Sequence, residues 1–389
     1  MISTIDQIIF VALSMLAFVP SSNIGNLFRL AILGIAFFIV YLRSDKNYSR
    51  KIFIICVCMV ISPFIPSLFV LLEEHTINTG LIAHELMRMV FCAVLILTVS
   101  KLKVSFNTVF ISCLILLSVN LIIQLLQYFD NEAVFTFISN YYVEDADSWS
   151  HLDLARGEGL NFRSGSIFIN PNVYMVIPLF SMVIFLQRDI QRPSYINHLF
   201  VVFAALSCIL TGSRTATAVM FVIIIIYFAK FSDKRMRPIL LLALLLLALV
   251  YGEFLIENSR AFQFEPDQTS SLSVKLKGFV WFWKTAWFNP IYWISGALGS
   301  SKAISIDSEI GHIYSWYGLF GIIWYVGYIK QILKQNRQFR FYSIILAIVS
   351  VLVAFTASVL LCMPIYSFIG AVLFSNINFQ QPTKGRLKA

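Results

Sequence analysis

The chain has 389 residues, 59% of them hydrophobic and only 13% charged, with 29 basic against 20 acidic residues and a mean hydropathy of +0.81. A soluble domain carries about 25% charged residues, so that class is excluded, and without alternating ten-residue segments a transmembrane β-barrel is excluded too. Apolar runs of roughly 18 residues or more recur along the whole length, which predicts an all-α, polytopic integral membrane protein forming one membrane domain over residues 1–389.

About twelve transmembrane helices are expected. They run approximately over 7–22, 27–42, 52–72, 81–99, 107–129, 167–187, 198–211, 214–230, 238–256, 309–329, 341–360 and 363–377. The opening segment MISTIDQIIFVALSMLAFVPSS has no Lys or Arg ahead of its apolar run, so it reads as a retained first span rather than a signal peptide. Six cysteines, Cys56, Cys58, Cys92, Cys113, Cys208 and Cys362, lie in or beside apolar runs. They read as small apolar residues, with neither a disulfide framework nor metal-site spacing. No inverted repeat is visible.

Lys and Arg set the orientation. With the N-terminus in the cytoplasm, the cytoplasmic segments hold 19 of the 29 basic residues, among them Arg43, Lys101, Lys103, Arg188, Lys230, Lys334 and Arg340, and four of the 20 acids, Asp6, Asp45, Asp189 and Asp233. Both termini are then cytoplasmic. The basic excess is a topology signal, and no nucleic-acid partner is expected. Two large loops, about 130–166 and 257–308, fall on the outer, periplasmic face.

Three polar patches map to that face. Residues 162–178, FRSGSIFINPNVYMVIP, place Arg163 at the mouth of a span, with Arg156 seven residues earlier. Asn170-Pro171-Asn172 then interrupts an apolar run, either kinking it or starting a helix. In LTGSRTATAVMF, residues 210–221, Arg214 sits in a tight turn between two apolar runs with no acidic neighbour in the sequence. Thr211 and Ser213 are placed to cap the helix that follows, whose N–H groups favour an anion. An arginine at that depth costs several kcal/mol unless hydrated or paired, so it is either a phosphate ligand or a headgroup anchor. The third patch, residues 271–293, interleaves Lys275, Lys277 and Lys284 with Trp281, Trp283, Trp287 and Trp293 and reads as an interfacial amphipathic helix. It leads through Gly296 and Gly299 to a span opened by Asp307, Glu309 and His312. Glu309 and His312 share a helix face, Asp307 suits an N-cap, and any of the three has the chemistry to take a proton from a hydroxyl.

In this order the motifs resemble those of the bacterial O-antigen polymerase (Wzy-type) and O-antigen ligase superfamily. RSGSIFINPN follows the family's Arg-x-x-Gly-x-Phe-x-Asn-Pro-Asn by order, its glycine at 165 one place early. SRTA at 213–216 matches Ser-Arg-Thr-Ala. KGFVWFWKTAWFNPIYWISGALG corresponds to the basic, Trp- and Gly-containing segment, and Asp307 through YGLFG to a helix closed by Gly-x-x-Gly.

The resemblance implies an inner-membrane enzyme working at the periplasmic face. It would transfer a growing undecaprenyl-diphosphate-linked glycan onto a new lipid-linked repeat unit, with no cofactor and no metal. Arg163, Arg214, Arg156 and Lys277 would hold the diphosphate. Asp307, Glu309 and His312 would serve the acceptor hydroxyl, and Asn170, Asn172, Ser213, Trp283 and Tyr314 would line the substrate. Its partners would be the undecaprenyl-diphosphate-linked oligosaccharide, membrane lipid, and a chain-length regulator and flippase of the same pathway. Asp307 stands where ligases carry His, which favours polymerase over an O-antigen ligase acting on lipid A–core. A lipid-linked oligosaccharide flippase is the reading from another class.

Overall fold

The computed structural model describes residues 3–20, 22–43, 49–143, 149, 152–153, 155–156, 162–230, 280, 284, 289–300, 308–335, 340–354 and 362–378. Helix dominates throughout. The helices are α1 (Thr4–Met15), α2 (Asn23–Arg43), α3 (Arg50–Ile61), α4 (Phe64–Glu74), α5 (Thr79–Val99), α6 (Phe106–Tyr128), α7 (Glu132–Tyr142), α8 (Pro171–Tyr174), α9 (Val176–Gln191), α10 (Tyr195–Leu210), α11 (Arg214–Lys230), α12 (Pro290–Ser295), α13 (Glu309–Gln335), α14 (Arg340–Ala354) and α15 (Met363–Phe374). Two three-residue strands, Lys103–Ser105 and Asn376–Asn378, are the β-structure among the described residues.

Five helical stretches are long and apolar enough to cross a membrane: Ile24–Arg43, Arg50–Glu74, Thr79–Val99, Phe106–Tyr128 and Pro171–Gln191. The remaining apolar helices are shorter. At 1.5 Å per residue the 16 residues of α10 reach about 24 Å, less than the ~30 Å of a bilayer core. Eleven of the twelve expected spans coincide with helix, and the one at 238–256 lies outside the described residues. The expected outer loop at 130–166 is partly built, since α7 lies within it.

Several expected spans are not single straight helices. The one at 52–72 is divided by Ser62-Pro63 into α3 and α4, because proline has no N–H to continue the ladder. The one at 309–329 bends at Gly318 (φ 59°, ψ −150°), a conformation essentially reserved for glycine. A straight helix would put Glu309 and Tyr325 about 24 Å apart. The bend instead lets the Tyr325 hydroxyl donate to Glu309 at 2.8 Å. A Cβ at position 318 would collide with the carbonyl of Ile294. Gly318→Ala should therefore destabilise the protein by about 1–3 kcal/mol, measured as a lower melting temperature in detergent; an unchanged melting temperature would mean the bend is dispensable.

The chain divides into two compact units. The first comprises residues 1–103, 265–339 and 350–376, and the second 104–264, 340–349 and 377–389. In the first, α15 is buried along its whole length and packs on α5, α1 and α13, as a helix apolar all round must be. In the second, α9 is the centre, with 13 of its 16 residues buried against α6, α10 and α11. Outward faces are oily instead. Ile24, Leu27, Phe28, Ile35, Phe38 and Leu42 of α2 are exposed, and so are Ile111, Ile115, Val119 and Ile122 of α6, while α6 buries Asn120, Gln124 and Gln127. Apolar outside and polar inside is the pattern of a protein whose solvent is hydrocarbon.

Hydrogen bonds tie the helix ends of the first unit into two groups. At one end Asp6 takes Arg43 (3.0 Å) and the Lys103 amide (3.2 Å). There too Asn376 donates to the Ser100 carbonyl (2.7 Å) and accepts from Gln335 (2.9 Å). Glu73, Glu74, Asn78, Asn289, Tyr292 and Ser300 form the other end. Tyr292 donates to Glu74 at 2.9 Å, Ser300 also donates to Glu74, Asn289 donates to Glu73, and the Asn78 amide donates to Gly299 O at 2.9 Å. Burial, then the adjacent Glu74 carboxylate, pushes the Tyr292 phenol up to about 12, so it stays a donor.

Candidate functional site

The second unit holds the arginine segments. Residues 162–165 run without regular secondary structure into a 3-10 turn, Ser166–Phe168, and Ile169 follows at φ 61°, ψ −56°. That is the strained γ-turn geometry, unusual for a β-branched residue, and it is closed by the Asn170 amide on Phe168 O at 2.5 Å. Asn170-Pro171-Asn172 starts a helix rather than kinking one. Asn170 is the N-cap, its side chain accepting the Asn172 amide at 2.9 Å, and Pro171 occupies the first turn, where no amide is missed. Asn172 is thereby turned toward Arg163, whose Nη2 donates to Asn172 Oδ1 at 3.2 Å.

Against this segment lies the turn that leads to Arg214. Thr211 Oγ1 donates to Cys208 O (2.6 Å) and accepts the Ser213 amide (3.1 Å). Ser213 caps α11 by accepting the Ala216 amide at 3.4 Å. Between them Gly212 adopts φ 57°, and a Cβ there would stand 2.8 Å from Arg163 Cγ and 3.0 Å from Phe162 O. The aliphatic stem of Arg163 thus rests on Gly212, and the Ser164 amide donates to Leu210 O at 3.1 Å. Two segments about fifty residues apart are joined, and Arg214 opens α11 with an exposed side chain. Two guanidinium-bearing segments and a helix N-terminus, side by side, suit a phosphate or diphosphate.

Arg156 belongs to different surroundings. It pairs with Glu132 of α7 at 3.3 Å and lies 4.8 Å over the Phe135 ring. Phe135, Ile138, Leu152, Ala155 and Ile169 form a small apolar core there. Lys277, Trp283 and Asp307 lie outside the described residues, as does most of the amphipathic segment 271–293.

Glu309, His312 and Tyr314 belong to the first unit. Ser308 fills the capping place expected of Asp307, with its hydroxyl accepting the Gly311 amide at 3.3 Å. The spacing puts Glu309 and His312 on the inward face, where they are 3% and 2% exposed. The His312 and Trp316 rings meet at a 40° tilt with their centroids 3.8 Å apart, and His312 Nε2 is 3.9 Å from Glu85 Oε2. Tyr314 is half-buried against Val70, Tyr292 and Ala297.

Glu85 and Arg88 stand in the apolar run at 81–99, outside every motif named above. Glu85 is fully buried, accepting from Arg88 Nη1 at 2.5 Å and from the Tyr317 hydroxyl at 2.7 Å. An ionisable residue in an apolar helix with an opposite charge three residues on was the available sign. Arg29 is likewise fully buried and donates to Leu16 O (3.3 Å), Val19 O and Asn26 Oδ1 (2.6 Å), satisfying carbonyls where the chain leaves α1. Among the described residues no group of three or more His, Cys, Asp or Glu is arranged to hold a metal ion. Comparison with protein-family models and with curated proteins returns no match to this chain.

Proposed function

We propose that this protein is a polytopic membrane glycosyltransferase of the O-antigen polymerase kind. On this reading twelve spans place both arginine segments at the periplasmic face of the inner membrane. A growing glycan is transferred there from undecaprenyl diphosphate onto a new lipid-linked repeat unit, for O-antigen or a related surface polysaccharide. The observation that carries the reading is the packing of Arg163 on the Gly212 turn that leads into Arg214. The two basic motifs of the resemblance are thereby brought into contact.

The chemistry follows from that contact. As the acceptor hydroxyl attacks the anomeric carbon, the bond to the lipid diphosphate breaks and charge grows on the leaving group. Guanidinium groups fixed beforehand stabilise that charge more than the ground state, and this differential lowers the barrier. By motif order the hydroxyl proton falls to Asp307 or Glu309. Glu309 and His312 both face inward, 3% and 2% exposed, so of the three acid–base candidates this reading gives the step to Asp307.

One observation favours a second reading, transport of a lipid-linked oligosaccharide. Glu85, Tyr317, His312 and Arg29 are buried, with Arg88 partly buried beside Glu85, and such groups in apolar helices commonly line translocation paths. Reconstitution separates the two readings. Purified protein in liposomes, given a synthetic undecaprenyl-diphosphate repeat unit on the accessible leaflet, should yield a ladder of longer lipid-linked glycans. Movement of the unmodified repeat to the other leaflet without lengthening would establish transport instead.

A further inference from the structure

Helix α6 carries an amide stripe that belongs to none of the basic motifs. Asn120, Gln124 and Gln127 stand at i, i+4 and i+7 and are 0%, 0% and 2% exposed. Burying an amide without partners costs roughly 2–7 kcal/mol, so three of them in one apolar helix persist only where they are held. All three engage the chain around Arg163. Asn120 Oδ1 accepts Ser166 Oγ (2.8 Å), and Gln127 Oε1 accepts Ser164 Oγ (2.5 Å).

Gln124 reaches further. Its Nε2 lies between Ser164 O (3.4 Å) and Ser207 O (3.3 Å), and its Oε1 accepts Ser207 Oγ at 2.6 Å. Ser207 lies in the last turn of α10, which ends at the turn before Arg214, and its hydroxyl also meets Tyr174 OH at 2.8 Å. Of the three amides, Gln124 is the one whose hydrogen bonds hold both arginine segments.

We propose that Gln124 is a positioning residue that sets the spacing between Arg163 and Arg214, an inference that rests on the two-arginine reading above. Apolar packing alone would hold these segments by shape and leave room for sliding. With both its nitrogen and its oxygen engaged, the buried Gln124 amide has few alternative arrangements and fixes one. The residue after Arg163 and the helix before Arg214 are tied to a single side chain, so loss of that side chain should displace the arginines relative to each other. A displacement of about 1 Å at such a site costs on the order of a hundredfold in function.

The test is a double-mutant cycle on the full-length protein in detergent, with binding of a C15 prenyl diphosphate measured by calorimetry. Gln124→Met keeps the length and removes every hydrogen bond. It is expected to weaken binding about tenfold, with no further loss when added to Arg163→Ala, because groups that act as a unit are not additive. Losses that add, or wild-type binding by Gln124→Met, would overturn the proposal while leaving the two-arginine reading in place. Wild-type binding by both Arg163→Ala and Arg214→Ala would overturn the two-arginine reading itself. Should Gln124→Met not give monodisperse protein, Ser207→Ala removes one of the three bonds and runs the same cycle, with the same non-additivity expected.

Discussion

Arg214→Ala should abolish polymer formation while the protein still inserts and accumulates in the membrane. Its side chain is exposed at the first position of α11, so its removal opens no core. In the proposed reaction the guanidinium meets the diphosphate through charge-assisted hydrogen bonds, worth about 1.5–3 kcal/mol each. Two such bonds strengthened in the transition state account for a loss of roughly a hundredfold or more. Arg214→Lys keeps the charge but loses the planar fork and should fall between the two. The checks are polymer length on a glycan gel and membrane protein level by immunoblot. Near wild-type polymer from the alanine variant would remove the diphosphate clamp from the account.

The second large effect belongs to Glu85 and concerns stability. Glu85→Ala leaves the Arg88 guanidinium and the Tyr317 hydroxyl without the acceptor they share, deep in the first unit. Arg88 is partly exposed, so the main cost is the buried Tyr317 donor left without its acceptor, about 1–3 kcal/mol, a sizeable part of the margin by which a folded protein persists. Thermal melting in detergent should show a drop of several degrees, with less protein surviving in membranes. Glu85→Gln keeps an acceptor for both partners and should cost much less. It also separates a scaffold from a transport site: stable protein with wild-type polymer assigns Glu85 to the scaffold, and stable protein without function assigns it to a translocated proton or substrate. An alanine variant as stable as wild type would contradict the buried pair.

The two arginine segments and the buried acid cluster differ in how far the sequence reveals them. Helix positions were legible because long apolar runs have few other uses. Breaks inside runs were harder to see. Pro63 and Gly318 each sit in an apolar pattern that continues past them, and only the backbone shows that α3 stops and α13 bends.

At the site, the arginines and their caps were visible as local chemistry, since Thr-Gly-Ser-Arg and Asn-Pro-Asn are turn and cap sequences in their own right. Their contact was not, because nothing in either segment states that Gly212 accommodates the stem of Arg163. The i, i+3 spacing of Glu309 and His312 gave their common face correctly but not its direction. Both side chains turn inward, His312 toward Glu85 on another helix more than two hundred residues away and Glu309 toward Tyr325.

The most direct test of the central claim is the surface glycan of a strain lacking the gene, with and without the wild-type copy. Lipid A–core carrying a single repeat unit, restored to a full ladder by the wild-type copy, is the result expected of a polymerase. Bare core with finished polymer left on the carrier lipid would contradict it and indicate a ligase, and bare core with unpolymerised units held on the cytoplasmic side would indicate a transporter.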